Sequence, residues 1–495
     1  MNAIVARGFG VSLRGAEHDR VLLEGTNLEL PLGGLFLLVG QSGSGKSSLL
    51  RLCTGLSEPS EPAPRLRGSL QVFGREVSRG FPNDLRLRVT AVLQDEGLLD
   101  DLSPRANVEL ALQVAGRSEK LALGLLSQVG MEQPPARVTE LSGGQRKRVA
   151  VARALAAEPE LIFFDEPTAG LDPSSARTIA ELLRETQTAA RKPRTIVVIT
   201  HDAAAFDGLC DGVFLIESGR IRSASIAEFA QGHGGTAQAT MPGEDPTLLG
   251  IRKLLLNVGS ATHTLYEAVR CCVPRFPGIV VRQVVRFSLE PLLFVMLAAA
   301  TIGGLATFFA LRNNPLEGAL TAQVLTGAGK VLSAVLGPLL ACVFFTARMA
   351  AGAAARIGTM RRSNQTHALL LLGIQPADWL LTPLAWSMGI AMPLIALAAI
   401  VVGALASLVA AQFVVGYTTI GWSEAFFRTV TRADLRFVLL KSSISGVLVA
   451  ILTYHLSMMP KRSGQEVGDA VNASIVAGLC TVLLVHGALT VLQFG

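Results

Sequence analysis

The chain has 495 residues, of which 50% are hydrophobic and only 17% are charged, and its mean hydropathy is +0.45. This composition excludes a disordered chain and argues against a purely water-soluble enzyme. Residues 1–240 carry 26 basic and 28 acidic side chains, whereas residues 241–495 carry 18 and 10. The net charge of +6 therefore belongs to the apolar half, where it suits membrane flanks facing anionic lipid and does not indicate nucleic-acid binding.

Short apolar runs alternate with helical stretches over residues 1–230. The runs are compact, rich in β-branched or aromatic residues, and bounded by turn residues; they lie at 35–40, 88–94, 160–166 and 195–200. Such runs predict buried strands of a mostly parallel sheet with helices between them, which makes 1–230 an α/β domain. The segment 231–248 is rich in Gly, Pro, Thr and polar residues and is the predicted domain linker.

Residues 249–495 are predicted to form an all-α membrane domain. Residues 251–272 place apolar side chains at helical spacing, which predicts a helix lying in the membrane interface; an amphipathic helix packed on the α/β domain is the alternative. Five later stretches are apolar and long enough to span a bilayer, at about 288–311, 325–355, 379–415, 437–459 and 471–494. The third is nearly twice the length of a span, so we expect it to tilt, break near Pro383 or Pro393, or extend beyond the bilayer.

The chain begins without a basic segment followed by an apolar run, so we expect no signal peptide and a cytoplasmic first domain. Five spans then put the C-terminus outside, and the inner segments carry the larger share of Lys and Arg, although 428–436 is a basic cluster on the outer side. The sequence thus predicts a multi-pass protein of the cell inner (cytoplasmic) membrane. Ionisable residues inside the predicted spans, such as Lys441, either face a cavity or a partner, or lie close enough to the interface to reach water.

One glycine-rich segment carries the first chemical signal. Residues 40–47 fit the pattern G-x-x-x-x-G-K-[ST], follow a predicted strand and open a helix, so their backbone N–H groups favour phosphate. Lys46 can reach the β- and γ-phosphates of ATP, and Ser47 can ligate Mg²⁺. The predicted nucleotide-binding residues here are Gly40, Gln41, Ser42, Gly43, Ser44, Gly45, Lys46, Ser47 and Ser48.

A second signal is the buried run 161–166, which ends in two carboxylates. Asp165 is predicted to serve Mg²⁺, and Glu166 to polarise the attacking water. Upstream, residues 141–145 read LSGGQ and are followed by the basic helix RKRVAVARALA. With these motifs in this order, residues 1–230 resemble the ATP-binding cassette of an ABC transporter.

The resemblance implies further roles. Gln94 matches the glutamine that senses Mg²⁺ and faces the membrane domain, Asp172 belongs to the D-loop, and His201 matches the histidine that contacts the γ-phosphate. Phe9 is the candidate for the aromatic side chain that stacks on adenine, where the family usually has Tyr. The implied catalytic set is Lys46, Gln94, Glu166 and His201, and the implied Mg²⁺ set is Ser47, Gln94 and Asp165.

The signature motif also implies a partner. In the family, a helix N-terminus bearing this motif closes on the nucleotide of the opposite subunit, so one copy of each motif implies a homodimer with two ATP at its interface. The residues that would act across the interface are Ser142, Gly143, Gly144 and Gln145. The basic residues that follow, 146–148, are interpreted as a solvated helix face and not as a nucleic-acid site.

The membrane half resembles the MlaE-type permease of MCE-linked lipid transporters over about 270–485. The residues that carry the resemblance are Gly337-Pro338, Ala347-Arg348, 355–360, Gln365, Ala368-Leu369, Gly373-Ile374, Pro376, Pro383 and 466–468. Residues 361–373 are the predicted coupling helix, which we expect to lie on the cassette near Gln94; a helix in the headgroup layer is the alternative. Four positions depart from the acids that the family usually carries and mark a divergent branch: Val335, Arg356, Asn364 and His367.

Together these features predict a fused ATPase and permease that works as a homodimer. The implied cargo is a membrane lipid, a phospholipid in the first instance, moved between the inner membrane and a separate periplasmic subunit of MCE type. Two alternatives remain at this point. One is an ABC exporter of hydrophobic drugs or sterols, and the other is an ATP-driven mechanical regulator that transports nothing. Bound lipid, and ATPase activity that lipid stimulates, would separate them.

Overall fold

A computed structural model describes residues 2–13, 20–56, 64–78, 80–190, 192–226, 228, 259–313, 320–461 and 463–494. The chain divides into two compact units. One unit combines Met1–Asn257 with Ser363–Gln375, and the other combines Val258–Arg362 with Pro376–Gly495. The predicted linker 231–248 and the first part of the predicted interfacial helix, 251–258, lie outside the described residues.

The first unit contains two sheets. Its strands are β1 (Asn2–Leu13), β2 (Arg20–Pro31), β3 (Gly34–Gly40), β4 (Arg65–Val72), β5 (Arg75–Glu76), β6 (Val89–Val92), β7 (Leu161–Asp165), β8 (Thr195–Thr200), β9 (Gly212–Glu217) and β10 (Arg220–Ala224). One sheet is antiparallel in the order β2-β1-β4-β5, and the other has the order β10-β9-β3-β8-β7-β6. Its helices are α1 (Lys46–Thr54), α2 (Pro104–Val114), α3 (Ala122–Gln128), α4 (Gly143–Leu155) and α5 (Pro173–Thr188).

The six-stranded sheet lies in the middle of the core. Every residue of β3 and β8 is buried, and the two strands pair in parallel register, with Leu35 opposite Ile196. Because side chains alternate along a strand, Leu35 and Leu37 enter one hydrophobic cluster while Phe36 and Leu38 enter the cluster on the opposite face. The prediction of a mostly parallel α/β sheet is confirmed, and only β10 is antiparallel to its neighbour.

This topology brings the predicted motifs to one edge. Strands β3, β6, β7 and β8 are mutually parallel through their neighbours, so their carboxyl ends share an edge of the sheet. The chain leaves these strands at Gly40, Val92, Asp165 and Thr200. The glycine-rich loop, Gln94, the two carboxylates and His201 follow directly, although they are far apart in the sequence.

The second unit is helical. Its helices are α6 (259–270), α7 (Pro277–Leu289), α8 (Leu292–Arg312), α9 (Thr321–Val331), α10 (Gly337–Arg362), α12 (Thr382–Val415), α13 (Thr419–Phe427), α14 (Arg432–Met458) and α15 (Gly464–Phe494); α11 (Gln365–Leu371) belongs to the first unit. Among the described residues, five helical segments are long and apolar enough to cross a membrane: Pro277–Arg312, Thr321–Arg362, Ala377–Val415, Arg432–Met458 and Gly464–Phe494. The predicted number of five spans is confirmed. The short helices α7 and α13 were not predicted.

Prolines shape two of the spans. The third span does not break at Pro393, which lies inside a continuous helix; instead a π-helical turn, Ala377–Leu381, precedes Pro383. A second π-helical turn, Leu332–Leu336, precedes Pro338. Within this turn the buried Lys441 Nζ donates to the carbonyl of Ala334 at 3.0 Å. Lys441 thus satisfies a backbone carbonyl of the π-helical turn.

The predicted coupling helix is shorter than expected. Residues 361–373 were expected to form one helix, but Arg361 and Arg362 end α10, and α11 covers only Gln365–Leu371. The break has a local cause, because Asn364 has a φ of 56°, a left-handed conformation that interrupts a right-handed helix. Asparagine tolerates this conformation better than most residues with a side chain.

Candidate active site

The loop between β3 and α1 is built by glycine. Gly40, Gly43 and Gly45 have φ values of 154°, 78° and 105°, which L residues rarely adopt. A Cβ on Gly40 would lie 2.7 Å from the carbonyl oxygen of Ile216. Within the loop the Ser44 hydroxyl is buried and has no hydrogen-bond partner among the described residues. The loop therefore offers an unsatisfied donor beside a helix N-terminus, which fits a bound phosphate.

Lys46 lies over this loop. Its Nζ donates to the carbonyl oxygens of Gly40 at 2.7 Å and Gln41 at 2.8 Å. Burial lowers the pKa of Lys46, and the charges of Glu166 and Asp165 offset part of that shift. Phosphate oxygens can take the place of the two carbonyl oxygens when nucleotide binds.

The two carboxylates at the end of β7 have different surroundings. Burial, with the adjacent charge of Glu166, raises the pKa of Asp165 to about 6, although Lys46 and Arg51 oppose the shift. A buried carboxylate that lacks enough positive charge fits a site for a cation. The described residues contain no group of three or more His, Cys, Asp or Glu side chains suited to a metal ion, so a cation here would need other oxygen ligands.

Glu166 and His201 contact each other directly. The Nδ1 of His201 lies 2.8 Å from the Oε2 of Glu166, and the Thr200 hydroxyl donates to the same oxygen at 3.4 Å. The Glu166 backbone is left-handed, with a φ of 51°, and its N–H donates to the Ile199 carbonyl at 2.8 Å. The carboxylate is mostly buried whereas the histidine is 70% exposed, so their contact lies at the edge of the sheet that faces solvent.

The signature and D-loop residues are helix caps in this structure. The Ser142 hydroxyl accepts from the Gln145 N–H, and the Gln145 side chain accepts from the Ser142 N–H, which forms a capping box at the start of α4. Ser142 and Gly143 are exposed. Asp172 caps α5 by accepting from the Ser174 hydroxyl and from the N–H groups of Ser174 and Ser175, and hydrogen bonds from Ser174, first, and Ser175 lower its pKa.

The adenine role predicted for Phe9 is wrong. Phe9 is fully buried and packs in the core cluster beneath the antiparallel sheet, so it presents no face to a base. The pairing of β1 with β2 shifts register on both sides of Phe9, and Phe9, Gly10 and Val11 are buried in succession. Arg20, which the sequence analysis did not select, lies beside the glycine-rich loop, where its Nη2 donates to the Gly43 carbonyl at 3.4 Å.

A second set of residues was missed. Lys147 is buried, so the interpretation of 146–148 as a solvated face is wrong for its middle residue. Its Nζ donates to the backbone carbonyl of Glu166 at 3.3 Å and lies 3.9 Å from Glu96 Oε1. The helical spacing of Lys147 with the buried Val151 and Ala154 was the available signal.

Helix α11 packs on the segment that begins at Gln94. The Asn364 amide donates to Asp95 Oδ2 at 3.0 Å, and the Gln365 amide donates to Asp100 Oδ2 at 2.7 Å. Leu370 and Leu371 pack against one of the two hydrophobic clusters of the unit. Through these contacts α11 packs on the unit that carries the predicted nucleotide-binding residues.

Two family models cover most of the chain. The ABC transporter model matches residues 23–169, and the model named Permease MlaE matches residues 280–492. A third model, of an AAA domain described as a putative AbiEii toxin of a type IV toxin–antitoxin system, overlaps the first at residues 132–207.

Curated relatives include several methionine import ATP-binding proteins named MetN. The protein from Symbiobacterium thermophilum is 36% identical over 226 residues, which are 44% of this chain and 66% of that protein. MetN 1 from Rhodopseudomonas palustris is 38% identical over 42% of this chain and 56% of its own length. The protein from Streptomyces coelicolor is 32% identical over 50% of this chain and 75% of its own length. The chain thus spans less than two thirds of the first two relatives.

Among solved structures, the ATP-binding cassette MJ0796, a dimer in a post-hydrolysis state bound to ADP and Pi, is 27% identical. The match covers 45% of this chain and 98% of that chain, with a TM-score of 0.40.

A phosphate-binding loop, a pair of carboxylates and the signature helix accompany the parallel sheet, and the chain continues into five helical segments that are long and apolar enough to cross a membrane. These features define the ABC transporter class. The chain belongs to the ABC transporter family and carries an N-terminal ATP-binding cassette fused to an MlaE permease domain. Its cassette is an ATP-binding ATPase domain.

Proposed function

We propose that this chain pairs with a second copy and moves lipids, phospholipids in the first instance, between the inner membrane and a periplasmic carrier of MCE type. The observation that carries the proposal is the permease match over 280–492, which extends across all five candidate spans. The MetN relatives match 42–50% of the chain and are named as ATP-binding proteins. Their similarity to this chain therefore concerns the ATP-binding cassette and does not indicate the transported substrate.

The membrane unit has a small apolar crevice between α8, the π-helical turn 332–336, α10 and α12. Its lining includes Val295, Ala299, Leu332, Phe344 and Ala399, and none of its lining residues is charged or polar. Its free volume of about 10 Å³ is room for about one water molecule, so in this structure the crevice does not hold an acyl chain. A zwitterionic amino acid would find no partner for its two charges among these residues, which favours an apolar cargo.

We assign the catalytic steps to residues at the edge of the parallel sheet. The loop 40–47 cradles the phosphates, with Lys46 exchanging its two carbonyl partners for phosphate oxygens. Glu166 polarises the attacking water while His201, at 2.8 Å, orients its carboxylate. Ser47, Gln94 and Asp165 are the residues that would hold Mg²⁺, and the raised pKa of Asp165 fits this because a cation would supply the missing charge. Bound Mg²⁺ would neutralise charge that develops on the phosphates.

The homodimer follows from the signature helix. Ser142 and Gly143 are exposed at the start of α4, where a helix N-terminus favours an anion. We propose that they, with Gly144 and Gln145, complete the nucleotide site of the partner subunit. Each dimer would then hold two ATP molecules.

The test uses the full chain purified in detergent and reconstituted in lipid nanodiscs. We expect mass spectrometry to find phospholipid bound to the purified dimer, and phospholipid to stimulate ATP hydrolysis, while methionine and sterol do not. Ala299→Phe, which places an aromatic ring in the apolar crevice, should weaken the stimulation; Leu297→Phe on the same helix, 67% exposed, should not. Stimulation by a sterol or drug alone would favour an exporter. ATPase activity indifferent to every lipid, in protein that carries none, would favour a mechanical regulator.

A further inference from the structure

Lys147 occupies an unusual place for a lysine. It lies on α4, the helix that the signature motif starts, and its side chain is only 9% exposed. Its Nζ donates to a backbone oxygen, the carbonyl of Glu166, at 3.3 Å. Glu166 itself is held in a left-handed conformation, which a residue other than glycine adopts only when its surroundings impose it. Three hydrogen bonds hold this backbone: the Glu166 N–H donates to the Ile199 carbonyl, and the Glu166 carbonyl accepts from the Ala169 N–H and from Lys147 Nζ.

The other partner of Lys147 is an acid on the loop after β6. Glu96 Oε1 lies 3.9 Å from Lys147 Nζ, and Glu96 Oε2 lies 3.6 Å from Arg146 Nε. Glu96 is also left-handed, with a φ of 53°. The fully buried Arg153 donates to the carbonyl oxygens of Glu96 at 2.7 Å and Gly97 at 2.6 Å. Helix α4 therefore holds this loop through three basic side chains.

The far side of the same loop holds helix α11. Asp95 and Asp100 accept from the amides of Asn364 and Gln365, and Asp100 Oδ1 lies 3.9 Å from Arg146 Nη2. A continuous series of polar contacts thus runs from α11 through the acidic loop 95–100 to the basic residues of α4. Its last contact is with the backbone of Glu166.

We propose that Lys147 is a positioning residue that links the backbone of Glu166 to the acidic loop 95–100. Through this link, the contacts of helix α11 with the loop affect the rate of ATP turnover but not the affinity for ATP. Lys147 bonds to a backbone atom of Glu166 and leaves the Glu166 carboxylate to His201. Loss of the ammonium group would leave the Glu166 carbonyl with only the Ala169 N–H, which donates to it at 3.2 Å, and would remove the contact that joins this backbone to α4. The Glu166 carboxylate would then no longer be held in position to polarise the attacking water. The inference rests on the proposed catalytic role of Glu166, but it is independent of the cargo.

The first test measures steady-state ATP hydrolysis by the full chain in detergent. Lys147→Met should lower kcat about tenfold, a change of about 1.4 kcal/mol in the barrier, and leave the KM for ATP within about twofold. Lys147→Arg retains a charged donor and should recover part of the lost kcat. Arg148→Met, on the same helix, is the matched control for lost charge and should retain kcat. A raised KM with unchanged kcat in Lys147→Met would overturn the proposal.

The second test probes the link to α11. Asn364→Asp puts a carboxylate beside Asp95 and should lower kcat severalfold in the wild-type background, but add little in Lys147→Met. A merely structural lysine would give additive effects instead, and additivity would contradict the proposed link. If Lys147→Met does not fold, as judged by its thermal melting curve, Lys147→Gln serves in both tests. Basal ATP hydrolysis needs no cargo, so these tests do not depend on the proposed lipid substrate. If Glu166→Gln loses turnover as expected while the Lys147 variant keeps the wild-type kcat, this inference is refuted and the proposed function is not.

Discussion

Replacing Glu166 by Gln tests the centre of the proposed site. The substitution keeps the size and the hydrogen-bonding oxygen of the side chain but removes the charge that lies 2.8 Å from His201 Nδ1. A positioned general base contributes about 10²–10⁴-fold to a rate, so kcat should fall by about that factor while ATP binding persists. The measurements are steady-state hydrolysis and equilibrium binding of a fluorescent ATP analogue. A kcat within about twofold of wild type would remove Glu166 from the role of base.

The same variant makes a second, pH-dependent prediction. Burial raises the pKa of Asp165 to about 6, and the charge of Glu166 adds to the shift. A carboxyl with a raised pKa takes up its proton at higher pH, so Asp165 becomes neutral as the pH falls through about 6 and can no longer serve Mg²⁺. We expect the affinity for Mg-ATP to decline below this pH. In Glu166→Gln the decline should move to lower pH, and an unmoved decline would mean that Asp165 does not cause it.

Three other substitutions separate the remaining assignments. Ser142→Arg should abolish turnover and leave ATP binding by its own subunit intact. Mixing this mutant with Lys46→Ala should restore at most one functional site per dimer. Loss of ATP binding in the Ser142→Arg mutant by itself would contradict action across the interface. Phe9→Ala should lower stability by about 3–5 kcal/mol in a denaturation experiment and leave the KM for ATP unchanged, because Phe9 is a core residue. Leu370→Glu places a charge where α11 packs on the cassette and should separate hydrolysis from lipid transport, whereas unchanged coupling would exclude α11 as the coupling element.

The parallel sheet, and the edge of the sheet where the motifs meet, could be predicted from sequence. Each of the strands concerned is a run of apolar residues, and its motif follows directly after it. Phe9 could not be excluded as a base-stacking residue by the same reasoning, because its inward direction depends on the register and bulges of β1, which no local pattern encodes. The start of the coupling helix was misplaced since Asn364 adopts its left-handed φ in contact with Asp95, a residue distant in sequence. Local periodicity carried no information on that contact.

Lys441 shows a similar limit in the membrane unit. The sequence left open whether this lysine faces a cavity or a partner inside the span, or reaches the interface. It is fully buried, and its Nζ donates to the Ala334 carbonyl, Thr490 Oγ1 and Gln493 Oε1, so the lysine has partners inside the unit. The sequence could not identify these partners, because the Ala334 carbonyl is 107 residues away along the chain.

The departures from the permease pattern on α11 agree with the acids of the cassette loop. The family resemblance leads one to expect acids at 364 and 367, where this chain has Asn and His. Both polar atoms of the Asn364 amide have a partner: the oxygen lies 2.9 Å from His367 Nδ1, and the nitrogen donates to Asp95. A carboxylate at 364 could still pair with the histidine, but it has no proton to donate and would repel Asp95. The amides of Asn364 and Gln365 donate and the carboxylates of Asp95 and Asp100 accept, so the two segments are matched as hydrogen-bond donors and acceptors.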